Sequence, residues 1–151
     1  MTFRDALPTE AAAITQVVLA SKRHWGYPEE WMAIFTEELT VSAEDIVNNK
    51  VVVAEENSDL CGVTMVKNTC TPHKAEIYLL FIHPAYINKG IGKRLLTIAL
   101  DWCKTQQKKQ VYLEADPNAR GFYEKMGGVY GGEIEFAPIP GRTLPIFVFE
   151  L

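Results

Sequence analysis

The sequence predicts one α/β domain built on a single mixed sheet covered by helices. Three observations carry this. Residues 75–82 are apolar at odd and even positions alike, as in a strand covered on both faces. From Ile91 the apolar period becomes helical, and a short polar link at 106–110 leads into a strand-like run at 111–114. A helix and link between two strands make a crossover, so 75–82 and 111–114 are expected to be parallel neighbours.

The other elements follow along the chain. Residues 2–6 suggest a first strand. Pro8-Thr9-Glu10 opens a helix with Thr9 as N-cap and Ile14, Val17 and Val18 on one face; it is expected to end near Ser21. Gly26 and Pro28 break segment 22–28. Residues 29–39 read as a second helix, and Ser42 followed by Glu44 and Asp45 caps a short third one. Strands are expected at 50–55 and 60–67, around an Asn57-Ser58-Asp59 turn. In 75–82 the two faces are Tyr78, Leu80 and Ile82 against Ile77, Leu79 and Phe81. The next helix has a broad apolar face of Ile91, Leu95, Leu96, Ile98, Ala99, Leu100, Trp102 and Cys103 and a polar stripe of Lys93, Arg94, Thr97, Asp101 and Lys104. Asp116-Pro117-Asn118 starts a helix that Gly127-Gly128 stops. Residues 129–135 and 146–151 are two final strands, joined by a proline-bearing loop at 137–145. The apolar Ile146-Phe147-Val148-Phe149 either closes the sheet or pairs across a dimer.

Composition sets bounds on function. A chain of 151 residues, 48% hydrophobic and 23% charged, makes one ordinary globular domain spanning 1–151. No apolar run approaches the roughly 20 residues of a membrane span, and the first residues lack a signal peptide's basic-then-apolar build. Cys61, Cys70 and Cys103 share no metal-ligand or disulfide spacing, so no metal is expected and three free thiols fit a reducing cytoplasm. A net charge of −4 argues against non-specific nucleic-acid binding.

The chemistry centres on His83-Pro84-Ala85-Tyr86-Ile87-Asn88-Lys89-Gly90-Ile91-Gly92-Lys93-Arg94. A strand turning through two glycines into a helix leaves the first helical N–H groups unpaired at the positive end of the dipole. Such a turn suits a phosphate, and the glycines let backbone approach it closely. It is neither of two common phosphate loops. Arg94 follows Gly92-Lys93 where a Walker loop needs Ser or Thr, and Leu95 stands where the dinucleotide fingerprint needs a third glycine. Either the turn binds a pyrophosphate by another design or it is only a tight turn.

Two stretches together resemble the GNAT N-acetyltransferase superfamily, which moves an acetyl group from acetyl-CoA to an amine. Leu80-Phe81-Ile82-His83-Pro84 with Tyr86 to Lys93 resembles its pyrophosphate-binding motif. Asp116-Pro117-Asn118-Ala119-Arg120-Gly121-Phe122-Tyr123-Glu124-Lys125-Met126-Gly127 resembles its later helix. The resemblance implies a GNAT-like domain, with a mostly antiparallel sheet whose central parallel pair splays around the cofactor and with helices on both faces. One departure stands out: Ile87 occupies a place where the family usually has Gln or Arg.

The resemblance implies these site residues. Backbone N–H groups of Asn88, Lys89, Gly90, Ile91, Gly92 and Lys93 would hold the diphosphate of CoA. Backbone groups around Phe81, Ile82 and His83 would meet the oxyanion and pantetheine as an added strand does. Asn118, or Asp116 beside it, would meet the CoA arm, although Asp-Pro-Asn is also simply a helix start. A leaving thiol of pKa about 8.5 is one that a tyrosine of about 10 can protonate, and Tyr123 stands in the acid's place. Its bland alternative is an aromatic packed on a buried face. Glu76 and Glu114 are candidate bases or merely solvated carboxylates; His83 is a third candidate that more simply serves the turn. His24, Trp25 and Tyr27 lie where the acceptor amine enters, as a cation-gripping set or a packed corner. Arg142 borders the same region and would suit an acceptor carboxylate. The implied protein is an acetyl-CoA-dependent N-acetyltransferase acting by direct attack on a small molecule or peptide, with a homodimer open. Two rivals are a non-catalytic acyl-CoA sensor of the same fold and a nucleotide-phosphate domain unrelated to CoA.

Overall fold

In the computed structural model, which describes residues Met1–Leu151, seven strands share one sheet. They are β1 (Thr2–Asp5), β2 (Lys50–Glu56), β3 (Asp59–Asn68), β4 (Lys74–Ile82), β5 (Gln110–Glu114), β6 (Val129–Glu135) and β7 (Thr143–Glu150). The helices are α1 (Ala11–His24), α2 (Glu29–Leu39), α3 (Ala43–Asn48), α4 (Ile91–Thr105) and α5 (Arg120–Lys125). The spatial order is β1-β2-β3-β4-β5-β7-β6, antiparallel throughout except between β4 and β5. That parallel pair is joined through α4, as the crossover predicts. No helix is long and apolar enough to cross a membrane.

Strand β2 explains why the central strands read as unbroken apolar runs. Val51 and Val53 pack with Ile14, Val17 and Val18 of α1, while Val52 and Ala54 face Ile91 and Leu95 of α4. Both faces of the sheet are therefore covered, and alternation with polar residues disappears. Ser42 caps α3 by accepting the Asp45 N–H, and the Asp45 carboxylate accepts the Ser42 N–H in return.

Three boundaries differ from the sequence reading. Helix α1 continues to His24 and stops at Gly26, whose φ of +76° an L side chain rarely adopts. Thr9 caps nothing. It lies in a 3₁₀ turn, Pro8–Glu10, and the Glu10 carboxylate accepts the Leu7 N–H instead, 2.8 Å away, while pairing with Arg4. Strand β7 begins at Thr143, ahead of Pro145. The proline is tolerated because its carbonyl is the group in use, accepting the Ala115 N–H at 2.8 Å. Since β7 lies between β5 and β6, it closes the sheet and has no free edge for a partner.

The fourth difference shapes the site. Ile77 pairs with Val66 and Leu79 with Met65, which leaves Tyr78 unopposed in a β-bulge. The bulge resets the alternation, so Ile77 packs on the α4 side of the sheet and Leu79 on the α1 side. The two-face grouping of Ile77 with Leu79 thus fails at Tyr78. The ladder to β5 ends just before this point, at Glu76 opposite Tyr112, and the remainder of β4 has no pairing partner on that edge.

Candidate active site

The parting of β4 from β5 opens a cleft of about 690 Å³. Its walls come from Phe81 and Ile82 on β4, the start of α4, Leu113 to Asp116 after the parting, and Phe122 and Tyr123 on α5. Within β4, alternation fixes which backbone groups face the gap. The His83 N–H donates to the Cys61 carbonyl at 2.8 Å, so residues of its parity bond toward β3. Leu80 and Ile82 therefore turn N–H and C=O toward the opening, and Phe81 does not. This corrects the expectation that the amides of Phe81 and His83 serve the cleft. His83 also uses its ring within the turn: Nδ1 accepts the Ala85 N–H at 3.1 Å.

At the far end, Gly90 caps α4 with φ +79° and Asn88 is left-handed too, at φ +63°. The first helical bond is donated by Arg94 to the Gly90 carbonyl. The six preceding N–H groups, Asn88 to Lys93, donate to no protein acceptor. Consecutive unpaired amides at a helix start, with the dipole behind them, form an anion cradle. Asn88, Gly90, Ile91, Gly92 and Lys93 line the cleft; the Lys89 side chain instead leans over the Tyr86 ring.

Tyr123 is 6% exposed, stacked obliquely on Phe147, and its hydroxyl has no hydrogen-bond partner in the protein. Burial raises its pKa strongly and the nearby Asp116 charge adds to this, so it stays protonated. A protonated hydroxyl without a protein partner, on the cleft wall, can donate a proton there.

Behind this wall lies a polar knot that the sequence reading missed. Lys22, 6% exposed, donates to Asp116 Oδ2 at 2.8 Å, and Tyr27 donates its hydroxyl to the same carboxylate at 2.9 Å. The Asn118 side-chain amide donates to both Asp116 and the Tyr27 hydroxyl, and Arg142 Nη2 donates to that hydroxyl while lying 3.7 Å from Asp116. Burial alone would raise the Asp116 carboxyl, but the Lys22 charge and the bonds it accepts hold it below its ordinary value. Asp116 is therefore occupied by protein groups, while Asn118 keeps its carbonyl free beside the cleft. The signal for Lys22 was present. It follows Ile14 and Val18 at helical spacing, on the buried stripe.

A second cavity, of about 270 Å³, adjoins the first and shares Ile77, Tyr78, Phe81, Glu114 and Asp116 with it. Glu114 borders both cavities and Glu76 only the smaller. The Glu76 carboxyl is raised, mainly by burial and then by the Glu114 charge. His24 and Trp25 line the large cleft, where Trp25 is 47% exposed. Tyr27 lines neither cavity and Arg142 only the smaller.

Comparison with known proteins agrees with this fold. The paiA N-acetyltransferase of Thermoplasma acidophilum, solved in complex with coenzyme A, superposes with a TM-score of 0.82 at 22% identity, over 99% of this chain and 98% of that one. A GCN5-related N-acetyltransferase from Rhodopseudomonas palustris gives 0.81 at 21%, covering 99% and 95%. yncA from Salmonella typhimurium, solved with its cofactor acetyl-CoA, gives 0.70 at 20%, covering 99% and 93%. At these identities the likeness is one of fold. No curated protein matches the sequence. The family model for the acetyltransferase (GNAT) domain matches residues 13–133, most of the chain, and the protein belongs to the GNAT family.

Proposed function

We propose that the protein is an acetyl-CoA-dependent N-acetyltransferase that transfers the acetyl group to a primary amine by direct attack in a ternary complex. The six free amides from Asn88 to Lys93 carry this reading, because a diphosphate supplies the acceptors they lack. From there the open edge of β4 leads past Ile82 to Tyr123, a path suited to the pantetheine arm.

In this mechanism the Ile82 N–H points into the gap and stabilises negative charge on the thioester oxygen. The neutral amine attacks the thioester carbon as the C–S bond breaks, and Tyr123 gives its proton to the departing sulfur. The amine's proton passes to Glu114, which borders both cavities, or to Glu76 through water; burial and then the Glu114 charge raise the Glu76 carboxyl, which favours its holding a proton. His24 and Trp25 flank the acceptor's entry. Tyr27 and Arg142 act at one remove, by fixing Asp116 and with it the turn into α5. Three free thiols suit a reducing cytoplasm as its working place.

One observation favours the sensor reading. Ile87, 41% exposed on the cleft, offers no polar group where a side-chain contact to phosphate is expected. Titration of CoA by calorimetry, followed by thiol release from acetyl-CoA with a broad amine panel, separates the two. Heat with thiol release supports transfer, heat alone supports the sensor, and no heat at millimolar CoA removes both. A homodimer, if formed, would use β6, whose outer edge is unpaired and exposes Val129, Tyr130 and Ile134.

A further inference from the structure

The bulge at Tyr78 accounts for the end of the ladder between β4 and β5, but not for what keeps the strands apart beyond it. Continuing the register in which Glu76 stands opposite Tyr112 would bring Leu80 opposite Asp116. Lys22 occupies that crossing from the α1 side of the sheet, the side on which Phe81 packs. Its Nζ lies 5.5 Å from the Phe81 ring centroid on β4 and 2.8 Å from Asp116 Oδ2 beyond β5, so one side chain touches both banks of the gap. The Phe35 ring of α2 backs the same ammonium at 4.6 Å. An apolar residue would serve helix α1 as well here, since Lys22 falls on its buried stripe. Burial lowers the Lys22 pKa against the pull of Asp116, which marks the cost of desolvating the charge. A buried ion pair adds little net stability over apolar packing, so this one is better explained by what it holds in place. Asp116 Oδ1 accepts the Asn118 N–H at 2.9 Å and so starts the 3₁₀ turn Pro117–Ala119 that leads into α5. Helix α5 has six residues, too few to hold itself, and the Tyr123 hydroxyl has no protein partner to fix it. Where Asp116 is held therefore decides where Tyr123 lies.

We propose that Lys22 is a positioning residue for the transfer reaction, a strut that keeps β4 and β5 parted from the α1 side and, through Asp116, sets where α5 holds Tyr123. This rests on the transfer reading above and extends it. Without the ammonium, nothing stands between Phe81 and Asp116, and the free edge of β4 at Leu80 and Ile82 can draw toward the end of β5. Pairing those amides would narrow the cleft along the path suited to pantetheine, and CoA would bind only the fraction of molecules still open. Lys22 itself does not line the large cleft, whose α1 wall is Ser21 and His24. Its effect on CoA is therefore transmitted through the strands rather than by contact.

Lys22→Met combined with Asp116→Asn tests this. The pair removes both charges without stranding either, and the amide placed at 116 can still accept the Asn118 N–H. Hydrogen exchange without ligand should show the Leu80 and Ile82 amides better protected in this variant than in the parent. Calorimetry should show CoA bound about tenfold more weakly, as when the cleft is open about a tenth of the time. In thiol release with an amine that the parent acetylates, KM for acetyl-CoA should rise by a similar factor. A merely less stable fold would instead lower the active fraction, and with it the apparent kcat, and leave KM in place. Should the double variant not fold, Lys22→Gln, which removes the charge but keeps a donor for Asp116, reads the same quantities. Unchanged or faster exchange at Leu80 and Ile82 in a folded variant, or unchanged CoA affinity, overturns the strut. If the parent acetylates no amine while exchange and CoA affinity respond as stated, the transfer reading fails and the strut stands.

Discussion

Asp116 accepts bonds from an ammonium, a phenol and an amide and lies beside a guanidinium; the Lys22, Arg142 and Asp116 side chains are buried, while Asn118 is at the surface. Asp116→Ala leaves Lys22 and Arg142 without their counter-charge, and a loss of about 3–5 kcal/mol is expected in denaturant melts. The pH dependence follows from the carboxyl being held below its ordinary value. A depressed folded-state pKa adds stability that is complete above the unfolded value, about 3.9, and disappears as pH falls through the lower folded value. Melting temperatures should therefore fall below about pH 4, and Asp116→Asn, already destabilised at neutral pH, should lack that part of the fall. Tyr123→Phe tests a different property of the same neighbourhood. It should keep the fold and CoA affinity and lower kcat by about a hundredfold, as loss of a general acid does; unchanged turnover would rule the acid role out. The place of the candidate site was half legible. Tyr123 and the glycine turn stand out by their spacing within known motifs, whereas Lys22, on the buried stripe of α1, was passed over because its partner Asp116 lies 94 positions away.

At the scale of elements, the start of α4 separates two uses of glycine. Gly90 needs its φ of +79°, so Gly90→Ala should cost roughly 1–2 kcal/mol and weaken CoA binding together. Gly92 has no such constraint. A Cβ there meets Phe122 no closer than 3.4 Å, an ordinary contact. Gly92→Ala should therefore leave the melting temperature nearly unchanged and weaken CoA about tenfold or more, because its added methyl crowds the ligand rather than the protein. If CoA binds Gly92→Ala as well as the parent, the cradle lies elsewhere. Helix and strand identities were legible because both faces of the central strands and one stripe of each helix are apolar over many residues. The ends were not. Helix α1 runs past the expected end near Ser21 to His24, and β7 passes through a proline because the group it uses there is a carbonyl. The bulge at Tyr78 was invisible for a plain reason: an extra residue in a uniformly apolar strand leaves the pattern unchanged.

For the molecule as a whole, ligand and fold are expected to stabilise one another. Saturating CoA at a hundred times its dissociation constant adds about 2.7 kcal/mol, or roughly 5–10 °C in melting temperature for a domain of this size. Hydrogen exchange should show where that gain falls. Without CoA, the Leu80 and Ile82 amides, facing the gap, should exchange faster than those of Phe81 and His83, which bond to β3; with CoA the difference should shrink. The sheet's one parallel pair was legible from the crossover through α4, and its mostly antiparallel order from the family resemblance. The extent of the parting was not, since three paired residues and a bulge are properties of register, which local sequence leaves free. That parting has a consequence beyond catalysis. Unsatisfied strand edges on a protein's outside invite other chains to stack and aggregate, which is why they are commonly blunted by charge or cover. Here an unpaired edge lies in the middle of the sheet, between β4 and β5 with α4 and α5 on the cleft wall, rather than at the outer rim where other chains stack.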